Sequence, residues 1–363
     1  MTTHDGILRV LACGSVDDGK STMIGHLLHL TGNLYDDQVL MLEQESARNG
    51  TTGGGMDYSL LLDGLTAERE QGITIDVAYR YFATEQRHFI VADTPGHERY
   101  TRNMATAASH CGAALILVDV NQGVLPQTRR HALICALMGI RRLLFVVNKM
   151  DMVGWDEQAF RYTQAQCGYL AQALERFGLP RAACVAVPAS SLRGDNLVSR
   201  SPRMPWYDAI TVMDWLHAVE PGRDMERAAL RFPVQYVIKG ARQGGGWQHG
   251  ADVGLGPGGT GTFRAYAGTV VSGSVRRGDR VAVLPSGLRT HVRGMWCGDR
   301  PVREASAGMA VALSLEGEHD IARGDMVVAE EQQAQVAHLF KVRLVWMDEQ
   351  PLFAGRQYLF RGV

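Results

Sequence analysis

Six apolar runs, separated by stretches of helical period, constrain the first 220 residues more than any other feature. They read ILRVLACG, VAYRYFAT, RHFIVADT, AALILVDV, RRLLFVVN and ACVAVPAS. Most are too continuously apolar to have one face in water, so they suit strands covered on both sides. The stretches between them carry a different period. In WDEQAFRYTQAQCGYLAQALERFG, Phe160, Cys167, Leu170, Ala171, Leu174 and Phe177 fall on one face of a helix. Strands alternating with such helices predict a doubly wound, mostly parallel sheet, an α/β domain over residues 1–220.

Near Pro221 the pattern changes. RFPVQYVIKG, AGTVVSGSV, DRVAVLPS, RTHVRGMW and AVALSLEG are short, β-rich and separated by glycine turns with no helix between them. That is the pattern of an all-β barrel, placed over 221–332. Within it the stretch 243–262 is dominated by glycine and reads as a flexible loop. Residues 333–363 alternate again and read as the start of a truncated second barrel, too short for a core of their own.

A hydrophobic fraction of 46% and a charged fraction of 21% are those of a water-soluble globular protein. The net charge of −1 gives no general pull toward nucleic acid or an anionic surface. The first ten residues, MTTHDGILRV, lack the basic start and apolar stretch of a secretory signal. Apolar runs such as AALILV are too short to cross a bilayer. Cys13, Cys111, Cys135, Cys167, Cys184 and Cys297 are scattered without a CxxC pair, so they read as small buried hydrophobes in a reducing, cytoplasmic setting. His26 and His29 lie three apart on a predicted helix, where packing explains them better than zinc.

The chemistry lies at the ends of the strands. Gly14, Ser15, Val16, Asp17, Asp18, Gly19, Lys20 and Ser21 fit G-x-x-x-x-G-K-S between a strand and a helix, with Thr22 following. Such a loop wraps a phosphate with backbone N–H groups and the positive end of a helix. Lys20 is placed to bridge the β- and γ-phosphates, and Ser21 to ligate Mg²⁺. DTPGH follows the next apolar run but one. Its Asp93 belongs on the metal side, Gly96 can sense a γ-phosphate, and His97 is placed to orient the attacking water. Thr74, in REQGITID, sits where a mobile connection can add a second hydroxyl to the metal. The connection Asn33–Ile73 carries few structural signals. Arg129 and Arg130 read as a solvated face.

NKMD ends the fifth run and supplies the base. The Asp151 carboxylate only accepts, which suits the N1–H and 2-amino donors of guanine; adenine offers neither there. Leaving such a carboxylate unpaired rejects the wrong base by roughly 10⁴ or more. Asn148 can tie this loop to the phosphate loop, and the Lys149 stem can lie along the base. In ASSL, the turn of Ser190, Ser191 and Leu192 can present a backbone amide to the guanine O6. Four such pieces in order, each at a strand's C-terminal end, specify GTP.

GSVDDGKST, LDGLTAEREQGITIDVAYRYF, DTPGHERYTRNMATAAS and NKMD together resemble the elongation-factor-Tu superfamily of GTPases. Within it the likeness is to the GTPase subunits of two-component bacterial ATP sulfurylases, and it extends through PWYDAITVMDWLHAVE, RFPVQYV, AGTVVSGSVRRGD and LVWMDEQP. The resemblance implies a partner, the small sulfurylase subunit, which binds ATP and sulfate and forms adenosine 5′-phosphosulfate and pyrophosphate. The resemblance further implies that GTP hydrolysis on the larger subunit drives that unfavourable step. It also implies a monovalent cation near Asp17, a cytoplasmic location, and neither nucleic acid nor membrane as partner. Where elongation factors usually carry His or Ser, this chain has Asp18. A single phosphate loop leaves no place for a fused second kinase activity. A translational GTPase delivering aminoacyl-tRNA, or a switch that drives no reaction, shares the same loops and stays open on these residues alone.

Overall fold

The computed structural model describes residues 7–49, 56–61, 74, 76–220, 228–240, 263–298, 300–331, 334–342, 344–348 and 350–359. The glycine-dominated stretch 243–262 and the REQGI part of the Thr74 connection lie outside them. The chain divides into two compact units, Met1–Pro221 with Val345–Pro351, and Gly222–Leu344 with Leu352–Val363.

All six apolar runs of the first unit become strands: β1 (Ile7–Cys13), β2 (Ala78–Ala83), β3 (His88–Asp93), β4 (Ala113–Asp119), β5 (Leu143–Asn148) and β6 (Cys184–Pro188). Their order in the sheet is β2-β3-β1-β4-β5-β6. Every pairing is parallel except that of β2 with β3. β2 is one of the two edge strands, and its partly exposed, alternating burial sets it apart from β4, which is buried at all seven positions.

The sheet separates two cores, and β4 shows how. Ala113, Leu115 and Leu117 enter one core beside α1 (Lys20–Leu30) and α6 (Val212–Ala218). Ala114, Ile116 and Val118 enter the other, beside α3 (Thr101–Ala108), α4 (Pro126–Leu137) and α5 (Glu157–Leu174). Successive side chains of a strand point to opposite faces, so helices on both sides require the continuous apolar run seen in the sequence. In α5 the buried positions are Phe160, Thr163, Cys167, Leu170, Ala171 and Leu174, and Asp156 caps the helix by accepting from the Ala159 N–H at 2.8 Å. Phe177, past the helix end, packs on the same core. The Met347 carbonyl accepts from Arg102 Nη2 at 3.1 Å, which ties the 345–351 segment to α3.

The connection between α1 and β2 departs from its weak sequence signal. It holds α2 (Asp36–Asn49) and a short 3₁₀ turn, Tyr58–Leu61. Leu42 of α2 is buried while Leu40 and Met41 face outward, so no clean apolar stripe announces the helix. Its good formers Leu, Met, Glu, Gln and Ala, with Asp36 and Asp37 in the first turn and Arg48 in the last, favour it instead.

The second unit is all β. Strands β7 (Arg231–Pro233), β8 (Tyr236–Gly240), β9 (Phe263–Thr269), β10 (Ser274–Arg276), β11 (Arg280–Leu284), β12 (Leu288–Cys297), β13 (Arg300–Pro301), β14 (Glu304–Ser306), β15 (Ala310–Leu315) and β16 (Met326–Ala329) follow one another with no helix among the described residues. One antiparallel sheet runs β7-β16-β11-β12-β15-β9-β8, with β13 added to β12, and β10 pairs separately with β14. Phe232, Tyr266, Val281, Val283, Met295 and Leu313 belong to its core. The described residues between 334 and 359 include no strand. A strand exists only where a neighbour accepts its backbone hydrogen bonds, and alternation alone supplies none.

No helix among the described residues is long and apolar enough to cross a membrane. The six cysteines are free thiols; Cys297 is exposed, contrary to its reading as a buried hydrophobe.

Candidate functional site

The parallel register brings the ends of the strands together. Ala12 lies opposite Asp93, Cys13 opposite Ile116, Asp119 opposite Asn148, and Val147 opposite Pro188. Chain connections leave β1 toward β3 on one side and continue from β4 on the other. Open α/β sheets bind ligands in the crevice at such a reversal.

The phosphate loop turns from β1 into α1. Lys20, nearly buried, donates from Nζ to the Ser15 carbonyl at 2.6 Å and to the Gly14 carbonyl at 3.5 Å. Asp18 is buried and accepts from the Ser15 N–H at 2.5 Å. Burial pushes its carboxyl up to about 6, against the pull of Lys20 and of that N–H. Asp17 stands exposed at the tip with a left-handed backbone, φ 64°, and Val16 beside it is half-buried. From α4, buried His131 takes the Gly14 N–H on Nδ1 at 3.2 Å. Gly19, preceding α1, has no side chain to cap the first turn, so the helix's leading N–H groups face the loop. Thr22 is half-buried in that turn.

The metal side forms beside it. Ser21 donates to Asp93 Oδ2 at 2.7 Å. Thr94 donates to the Ala12 carbonyl at 2.8 Å, pinning the DTPGH loop to β1. Gly96 is needed for its lack of a side chain: an added Cβ would lie 2.7 Å from both Lys20 Nζ and the Ser15 carbonyl oxygen. His97 is half-buried and accepts at Nδ1 from the Arg99 N–H at 3.2 Å, so the neutral ring carries its proton on Nε2. Thr74 is half-buried outside any helix or strand, and its immediate neighbours lie outside the described residues. The hydroxyl and carboxylate oxygens of Ser21 and Asp93 are the hard donors that Mg²⁺ prefers, with few protein ligands and the rest from phosphate and water. Among the described residues no cluster of three or more His, Cys, Asp or Glu side chains could hold a metal by itself.

At the other end, Asn148 joins three loops. Its Nδ2 donates to the Asp18 carbonyl at 2.7 Å and its Oδ1 accepts from the Ser191 N–H at 2.8 Å. Asp151 Oδ1 accepts from the Ser190 hydroxyl at 2.6 Å. Lys149, in a left-handed conformation, pairs with Asp119 at 2.9 Å. Burial works to raise the Asp119 carboxyl, but hydrogen bonds from Lys149 and Asn121 outweigh it and hold it below the ordinary value. Leu192 sits half-buried in the turn after Ser191.

The structure thus brings the sequence-derived phosphate and base residues, with Ser21, Asp93 and Gly96 of the metal side, to the C-terminal ends of the strands of one sheet; no contact among the described residues ties Thr74 to them. Arg130 pairs with Glu98 at 3.0 Å with both side chains exposed, as a solvated face requires. Sequence reasoning passed over supports that lie far from the motifs. Asp119 had one available signal, a carboxylate ending an apolar strand. Buried Asp195 had none: it accepts from Trp155 Nε1 at 2.9 Å and from the Ser201 hydroxyl at 2.6 Å, and so joins the two base loops.

These strands, loops and contacts define a P-loop domain of the guanine-nucleotide-binding kind. Residues 5–222 match the family described as Elongation factor Tu GTP binding domain. The sulfate adenylyltransferase subunit 1 of Shewanella oneidensis is 46% identical over 355 residues, covering 98% of this chain and 68% of that protein. That of Citrobacter koseri is 48% identical over 356 residues, covering 98% and 70%. The chain belongs to this family, the subunit 1 proteins built on an elongation-factor-Tu GTP-binding domain. Among solved structures, the Saccharomyces cerevisiae Ski7 GTPase-like domain bound to GTP superposes with a TM-score of 0.55 at 16% identity, over 90% of this chain and 76% of that one. Its complex with GDP and inorganic phosphate gives 0.52 at 17% identity, with the same coverage. These two likenesses concern the fold alone.

Proposed function

We propose that this chain is the GTP-hydrolysing subunit of a sulfate adenylyltransferase. In this reading, GTP hydrolysis drives a small partner subunit to form adenosine 5′-phosphosulfate and pyrophosphate from ATP and sulfate in the cytoplasm. The observation that carries it is the Asn148 junction. One side chain joins the phosphate loop to the base loops in a chain 46–48% identical to proteins named for that activity. Those names favour it over delivery of aminoacyl-tRNA.

The residues divide the work by chemistry. Backbone N–H groups of residues 16–22 and the first turn of α1 bind the phosphates, those of Gly14 and Ser15 being taken by His131 and Asp18, with Lys20 neutralising the β- and γ-oxygens. Asp151 accepts from N1–H and the 2-amino group of guanine, and the turn of Ser190, Ser191 and Leu192 meets O6. Ser21, Thr74 and Asp93 hold Mg²⁺, directly or through water. When bound there, the ion supplies positive charge to the phosphate oxygens that gain negative charge in the transition state. Gly96 lies against Lys20 and reports whether a γ-phosphate is present. His97 orients the water that attacks the γ-phosphorus, and Lys20 and Thr74 complete the catalytic set. Asp17 is the residue that resemblance assigns to a monovalent cation.

The test combines the chain with the small subunit of a bacterial sulfate adenylyltransferase, ATP, sulfate and Mg²⁺. Adenosine 5′-phosphosulfate should accumulate well beyond its GTP-free level when GTP is added, with GDP and phosphate released. Formation indifferent to GTP and to this chain would sink the proposal.

A further inference from the structure

Two histidines lie on α1, and one of them does more than fill space. His26 is 6% exposed, and its Nδ1 lies 2.7 Å from the Ser191 carbonyl oxygen. A carbonyl only accepts, so Nδ1 carries the proton and donates. Burial lowers the imidazole pKa, which favours the neutral ring in this place. The Ser191 residue is therefore held on both sides, its N–H by Asn148 Oδ1 at 2.8 Å and its carbonyl by His26.

The geometry of the peptide bond gives this consequence. The Ser191 carbonyl and the Leu192 N–H belong to one planar trans unit, in which they point in opposite directions. With the carbonyl turned toward α1, the Leu192 N–H is turned away from it. The Ser191 N–H is already engaged by Asn148, so Leu192 carries the amide left to meet the base.

On its other side His26 meets the connection to β2. The Tyr58 ring stacks on the imidazole at 4.1 Å between centroids and 12° between planes, and His29 lies tilted beside it. Tyr58 is itself buried. Gly25 lets this segment seat directly on the helix: a Cβ there would stand 2.2 Å from the Tyr58 carbonyl oxygen. One imidazole thus touches the base loop and the turn Tyr58–Leu61.

We infer that His26 is a positioning residue for guanine recognition, fixing the Leu192 amide through the Ser191 carbonyl and coupling it to the Tyr58 turn. The inference rests on the GTP-binding reading above.

Two variants separate the hydrogen bond from the packing. His26→Phe keeps a ring against Tyr58 but has no donor. His26→Asn places an N–H donor the same number of bonds from Cα but gives up the stack. Dissociation of a fluorescent GDP analogue is expected to be about tenfold faster in His26→Phe, since a buried carbonyl loses its partner. In His26→Asn it should stay within about threefold of the parent chain. Hydrogen exchange provides a second readout: GDP should slow the amides of Tyr58–Leu61 in the parent chain and not in His26→Asn, where the stack is gone. Parent-like dissociation from His26→Phe, or His26→Asn as fast as His26→Phe, would overturn the positioning role. Exchange at Tyr58–Leu61 that GDP leaves unchanged in the parent chain would overturn the coupling. A parent chain that binds no guanine nucleotide would instead overturn the GTP-binding reading itself.

Discussion

At the proposed base end of the crevice, side chains of one loop bond to another, whereas at the phosphate end two buried charged groups, Lys20 and Asp18, bond within a single loop. Asn148 is fixed by the Asp18 carbonyl and the Ser191 N–H, and Asp151 by the Ser190 hydroxyl. Lys20 instead donates into its own loop, and the Asp18 carboxylate accepts from the Ser15 N–H inside a buried turn. The Asn148 hydrogen bonds join neutral groups and are indifferent to pH and salt. A buried carboxylate and ammonium a few residues apart are not, because each depends on the other's charge. The base end is built for fixed geometry and the phosphate end for response to charge.

Lys20→Met should have the largest effect on this contrast. It removes the only side-chain cation bonded within the phosphate loop among the described residues, so GTP affinity should fall by roughly a hundredfold or more. Titration calorimetry with GTP and with guanosine would check it. Equal losses for both ligands would mean that Lys20 supports the fold and not the phosphates.

Asp151→Asn probes the fixed end and should shift GTP affinity by about ten- to a hundredfold. The amide offers one donor and one acceptor, so its NH₂ meets the guanine 2-amino group with no acceptor between them. Xanthine has a carbonyl there and keeps N1–H. Competition between GTP and XTP should reverse its preference in the variant, and an unchanged preference would remove Asp151 from the base site.

Asp18→Asn tests the charged end through pH. The carboxyl rises from 3.8 to about 6 on folding, so between those values the folded state binds the additional proton. Stability is then highest below 3.8, falls as pH rises through the window, and levels off above about 6. The amide oxygen can still accept from the Ser15 N–H without this penalty. The variant should be more stable than the parent by on the order of 2 kcal/mol at pH 7.5 and by almost nothing near pH 3.5. Urea unfolding at the two pH values decides; the same increment at both would show that ionisation of Asp18 is not the cause.

Arg130→Ala is the smallest expected change. Its pair with Glu98 is exposed at both ends, so stability should move by less than about 0.5 kcal/mol. A thermal melt showing a larger loss would mean that this face is not merely solvated.

The sequence by itself determined the three-layer α/β unit, the β unit after it and the positions of the proposed recognition loops. The reason is local: apolar continuity, helical period, and glycine with lysine at a strand-to-helix turn are all legible over about 18 residues or fewer. Helix α2 was not legible, because its apolar residues face both inward and outward and leave no periodic stripe. Tertiary structure alone decided which distant groups hold those loops. Gly14 meets His131 across 117 positions, and His26 reaches Ser191 across 165. Such partners carry no pattern of their own. They are chosen by the strand order and the parallel register, which place α1, α4 and the loop after β6 around one edge of the sheet. A histidine on a helix looks the same in sequence whether it packs against a leucine or holds a peptide in place.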